Sequence, residues 1–217
     1  VSRRRAALAL AIAIAVGVIL GAAIIGGVDR AAAAPPVQQT ALDLRLFLER
    51  TLQADLDDRE VVVTEDLHYP TSIAEAYFDP PIIKIRPRME RAIARDIDTH
   101  GYRGWSQALH DLTHELLHRD ATAACQAPDA AGTRHDEEGI VDLLANDLDP
   151  AVTRRFIGYP LEPVYTYSFE TADVRAAIMR VGDGKPWSRY ERLVLRKLWA
   201  ADCAGRVAIL EGHVAFR

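Results

Sequence analysis

Apolar residues recur at Leu44, Phe47, Leu48 and Leu52, the three-and-four spacing of a helix with one face on a core, and Thr40 can cap its start. The pattern changes at Val61-Val62-Val63-Thr64, a β-branched run that predicts a strand within residues 59–67. A second strand is expected at Ile82-Ile83-Lys84-Ile85-Arg86, where prolines at both ends suit an edge position. Pro87 then fits the first turn of a helix ending at Gly101. A further helix runs from about Trp105 to Asp120 with Leu109, Leu112 and Leu116 on its core side. Residues 121–133 are small and polar and read as a loop. Asp136 can cap a helix reaching about Leu148, and Asp149-Pro150 starts a short one broken at Gly158-Tyr159-Pro160. The alternating piece Val164-Tyr165-Thr166-Tyr167-Ser168-Phe169 suits an extended chain. Two helices close the order, over about 171–181 and 187–204, the second with a capping box in Ser188 and Glu191 and a stop at Gly205. Strands early and helices after them predict an α+β fold, a helical majority with a small, mainly antiparallel sheet.

The N-terminal region has a different pattern. Arg3-Arg4-Arg5 precedes an uncharged run from Ala6 to Val28, long enough to cross a bilayer as one helix. Ala31 and Ala33 have the small side chains of a signal-peptidase site, whereas the length of the run favours a retained anchor. Both readings place residues 1–34 as a signal peptide or membrane anchor, 35–39 as a linker and 40–217 as one extracytoplasmic domain, secreted or held at the plasma membrane through residues 6–28. Without the first 34 residues the net charge moves from −5 to −8, since four arginines and Asp29 leave with them. An acidic domain without a basic stripe argues against nucleic acid as a partner. In an oxidising compartment its two cysteines, Cys125 and Cys203, are expected to pair.

The chemistry concentrates in Thr113-His114-Glu115-Leu116-Leu117-His118. Residues four apart share a helix face, so His114 and His118 can direct their imidazoles at one metal ion. Glu115 is turned by about 100° from His114, towards the open side of such an ion, where it can take a proton from a zinc-activated water. A catalytic zinc usually has three protein ligands. Glu138 and Asp142 share a face of the next helix, so one can ligate while the other accepts a hydrogen bond from a ligand histidine. His135 is a rival third ligand, Asp136 and Asp142 are weaker ones, and a site using Cys125 would leave the Glu138/Asp142 pair unexplained. His110 lies one turn before His114. Three histidines in line along a helix span roughly 12 Å, too far for one zinc, so His110 is expected behind the ligands or at the surface.

The arrangement His114-Glu115-x-x-His118 followed by Glu138-x-x-x-Asp142 resembles that of the gluzincins, the thermolysin-like zinc peptidases, over about thirty residues. The metzincin pattern does not fit, because Ala121 and Ala124 occupy its Gly and His positions. The resemblance implies one Zn2+ held by His114, His118 and Glu138, Asp142 behind a ligand, Glu115 as general base, and a peptide or protein substrate. It also implies a Tyr or His donor to the oxyanion, for which His135, Tyr159, Tyr165 and Tyr167 are candidates. Substrate would lie along a sheet edge, for which Ile82, Ile83, Lys84 and Ile85 are candidates. The chain departs from the gluzincin pattern in having no Asn before Glu138. The expected function is therefore an exported or anchored zinc peptidase. The alternatives are a non-catalytic zinc-containing binding module and a zinc amidase acting on cell-wall peptides.

Overall fold

Val37, Ala41, Leu44 and Leu48 lie on one stripe, and their burial fixes the first helix, α1, at Pro36–Leu52. It begins a turn before the expected cap at Thr40, with Pro36 at a position where a missing N–H costs nothing, so residues 36–39 are helix and not linker. Gln53, at φ 55°, ends it, and Ala54 N–H closes back onto Glu49 O at 3.2 Å. The computed structural model describes residues 36–94, 104–119, 133–158, 160, 168–181 and 189–210. The apolar segment 6–28 falls outside them. Among the described residues no helix is long and apolar enough to cross a membrane.

Strands β1 (Glu60–Val63), β2 (Ala74–Phe78) and β3 (Pro81–Ile85) form one sheet in the order β1-β3-β2. β3 runs parallel to β1 (Val61 opposite Ile83) and antiparallel to β2 (Ala76 opposite Ile83). Two expectations are corrected here. The sheet is mixed, not mainly antiparallel. Ile82, Ile83, Lys84 and Ile85 form its central strand, which the prolines tolerate because Pro80 and Pro87 lie outside it and Pro81, opposite Phe78, is only its first residue. Ile83 and Ile85 are fully buried, as a strand paired on both sides allows. β1 and β2 are the edge strands, and β2 packs on the helix that carries the histidine motif.

Pro87 opens α2 (Pro87–Ile93), the start expected for it, and residues 95–103 fall outside the description. Gly104, at φ 77°, then turns the chain into α3 (Trp105–Leu117), a conformation that side chains beyond glycine rarely adopt. Ala108, Leu109, Leu112, Leu116 and Leu117 of α3 are buried in the core. Its main neighbour is α4 (Thr133–Phe156), a single helix where two were expected. Pro150 removes one N–H from α4, yet Leu148 and Val152 on either side of it are buried. Packing against α3 and two later helices outweighs the local penalty.

Those two are α5 (Ser168–Val181) and α6 (Arg189–Ala200), followed by α7 (Cys203–Leu210). Gly205 lies inside α7 and does not end the preceding helix. With seven helices and three strands among the described residues, the fold is α+β with a helical majority. Residues Pro35–Arg217 form one unit by their contacts.

Candidate metal centre

Because α3 packs on α4, the histidine motif at the end of one helix faces the first turns of the other. His118 is the residue after the last turn of α3, in extended conformation (φ −63°, ψ 137°), and its ring folds back beside that of His114. His114 Nε2 lies 3.1 Å from Glu138 Oε2, His118 Nε2 lies 3.3 Å from His114 Nε2, and His118 Nε2 lies 3.7 Å from Glu138 Oε2. These three atoms form a triangle with edges of 3.1, 3.3 and 3.7 Å. An ion bound by nitrogen and oxygen at about 2.0–2.1 Å has ligand–ligand edges of about 3.3–3.4 Å, so the three residues fit a metal ion. His114 and His118 are buried, whereas the Glu138 side chain is part-exposed at 18%, which leaves the centre open on that side.

Each histidine is held from behind by a carboxylate. Glu137 Oε1 lies 3.2 Å from His118 Nδ1, and its other oxygen pairs with Arg206 of α7. Asp142 Oδ1 lies 3.7 Å from His114 Nδ1, an ion-pair distance longer than a hydrogen bond. Asp142 also accepts from Asn146 Nδ2 at 2.9 Å and faces His110 Nε2 at 3.1 Å, and His110 Nδ1 faces Asp149 Oδ2 at 2.9 Å. His110 is thus buried behind the ligands, one of the two places expected for it.

The motif helix is clamped at its C-terminal end, where carbonyls lack helical partners. Arg59, buried in the segment before β1, donates from Nη1 to His118 O at 2.6 Å and to Glu115 O at 3.4 Å. Trp199 Nε1 of α6 donates to Leu117 O at 2.8 Å, and Arg119 returns a bond to Ala200 O at 2.8 Å. Glu115 is itself buried, with the backbone of Ala76 on β2 beside its carboxylate. None of Glu137, Arg59, Arg206 or Trp199 was expected from the sequence. Glu137 had a signal, its position immediately before Glu138 where the gluzincin pattern has Asn. The others are brought in by chain separations of 56 to 82 residues or through Glu137 itself.

Charge in this enclosure is coupled. Burial raises the Glu115 carboxyl above its usual range, although the charges of His114 and His118 pull the other way. Burial lowers His114, but Asp142 and Glu138 outweigh it and hold the ring well above the ordinary histidine value. His118 is lowered, by burial and by the neighbouring His114, against the pull of Glu138. Asp142 is pushed up by burial yet drawn down to about 2 by His110 and His114, while His110, lowered by burial, is raised to about 9 by Asp142 and Asp149.

Of the residues singled out by sequence, His114, Glu115, His118, Glu138 and Asp142 come together. The side chains of His135, Tyr159, Tyr165 and Tyr167, and also that of Asp136, lie outside the described residues. Cys203 is disulfide-bonded, and Cys125 lies outside the described residues. No protein-family model, curated protein or solved structure matches the chain.

Proposed function

We propose that this chain is an exported or membrane-anchored zinc peptidase, with one zinc ion held by His114, His118 and Glu138 and with Glu115 as general base. The observation that carries the reading is the triangle of ligand atoms from His114, His118 and Glu138 beside a buried carboxylate, Glu115, that takes no part in it. A zinc ion bound there would polarise a substrate carbonyl and acidify the attacking water. Glu115, made more basic by burial, takes the proton of that water and passes it to the leaving amine. The backbone of Ala76 on β2 lies beside its carboxylate. A purely structural zinc site favours four closed protein ligands and has no use for Glu115.

The resemblance to gluzincins places substrate along a sheet edge, and β2 takes that role in place of β3. It pairs with β3 on one side only among the described residues, and Ala76 sits at Glu115. A peptide added as a strand outside β2 would bring its backbone past the general base. Export is supported by the basic and apolar N-terminal pattern and by the bonded state of Cys203.

The test compares wild type with Glu115→Gln, supplied with zinc, on a mixed peptide library read by mass spectrometry. Cleavage by wild type alone, with equal zinc in both, supports the peptidase. Equal zinc with cleavage in neither shifts the assignment to a zinc-containing binding module.

A further inference from the structure

His110 stands one turn before His114 on α3 and is 1% exposed. Its two ring nitrogens face carboxylate oxygens at 2.9 Å (Asp149) and 3.1 Å (Asp142). An ionised carboxylate only accepts, so both nitrogens donate and the ring is an imidazolium. Asp142 and Asp149 are seven residues apart on α4, two turns along one face, and His110 bridges them from α3. The result is a buried line, Asp149–His110–Asp142–His114, that ends on the His114 nitrogen turned away from the ligand triangle. The second Asp142 oxygen accepts from Asn146 at 2.9 Å. The carboxylate is therefore held at both oxygens, with Oδ1 turned to His114. If the only task were to fill space between two helices, an apolar side chain would do it without desolvating three charges.

We propose that His110 is a positioning residue of the metal centre, holding the Asp142 carboxylate against the ring nitrogen of His114 that faces away from the metal. This rests on the metal centre assigned to His114, His118 and Glu138. The imidazolium does two things there. It offsets the combined charge of Asp142 and Asp149, and it denies Asp142 any rotamer in which Oδ1 leaves His114. Asp149 acts one step further out, by fixing the His110 ring.

The test is a double-mutant cycle in the exported chain: wild type, His110→Gln, Asp142→Asn and the double variant. Zinc affinity is measured by competition with a chromophoric chelator, the visible spectrum is recorded on cobalt-loaded protein, and melting is followed without metal. His110→Gln should weaken zinc about tenfold and shift the cobalt bands, as loss of support behind a ligand does. The double variant should bind zinc no more weakly than Asp142→Asn alone, because His110 works through Asp142. A His110→Gln protein that melts earlier but keeps wild-type zinc affinity and cobalt bands would overturn the proposal and leave a structural staple. Additive losses in the double variant would overturn it too. If His110→Gln does not fold, Asp149→Asn takes its place, with a smaller shift in the same direction expected and unchanged affinity and spectrum contradicting. Wild type that binds no zinc would remove the metal centre itself, and this proposal with it.

Discussion

Glu137 Oε1 lies 3.2 Å from Nδ1 of His118, and Glu137 is the residue immediately before the ligand Glu138. Two consecutive residues of α4 thus reach the same imidazole region from different sides, one towards the metal position and one behind the ring. A glutamate behind His118 makes the ring a stronger donor than a neutral amide would, and Arg206 balances its charge. Glu137→Gln keeps an acceptor and removes the charge, so zinc affinity should fall about tenfold by chelator competition. Glu137→Ala also takes the carboxylate from buried Arg206, and urea unfolding should register a loss of about 3–5 kcal/mol.

Arg59 is a second support with a separate readout. It caps the end of α3 through His118 O at 2.6 Å and stacks on Phe78 of β2 at 4.9 Å. Arg59→Met preserves length and loses the donors, so the metal-free protein should lose about 2–3 kcal/mol. The rise in melting temperature on adding zinc should shrink as well, because His118 is held less firmly.

Gly139, the next residue after Glu138, is where α4 meets α5. A Cβ there would stand 2.6 Å from Glu170 O and 2.8 Å from Val174 Cγ2. Ala is favoured over Gly in a helix by about 1 kcal/mol, but a backbone carbonyl cannot step aside, so overpacking wins. Gly139→Ala should therefore destabilise by about 1–3 kcal/mol in denaturant unfolding, and weaken zinc by moving Glu138.

The His110–Asp142 pair sets a pH window for the metal-free protein. His110 is raised to about 9 from 6.5, so its contribution is complete below 6.5 and fades as pH rises through 9. Asp142 is lowered to about 2 from 3.8, so its contribution is present above 3.8 and fades as pH falls towards 2. The contribution of this pair should be greatest between about pH 4 and 6.5, with roughly 3 kcal/mol from His110 lost on the alkaline side, read as the difference in melting temperature between wild type and His110→Gln. His110→Gln should reduce that alkaline limb, leaving the share that belongs to His114, and should shrink the acid limb as well, because His110 helps to draw Asp142 down.

The motif helix, its buried face and the reach of Glu138 were readable from sequence because they depend on local periodicity and on spacing within about thirty residues. The side of the sheet was not. Prolines flanking 82–86 suggested an edge, but they lie at or beyond the ends of the central strand, and strand order depends on partners that no local pattern names. The same limit hid Arg59, Trp199 and Arg206, which are ordinary in sequence and acquire their roles only when distant segments pack at the end of α3. Pro150 and Gly205 carried local signals for a break and a stop, and the chain makes neither there. Burial of Leu148, Val152 and Ile209 outweighed both.

The most direct measurement is zinc content per chain after loading and dialysis, in wild type and in Glu138→Ala. One zinc per wild-type chain, lost or bound far more weakly in Glu138→Ala, is the predicted result. A wild type that retains no zinc, or a Glu138→Ala chain that retains it as tightly as wild type, would contradict the three-residue centre.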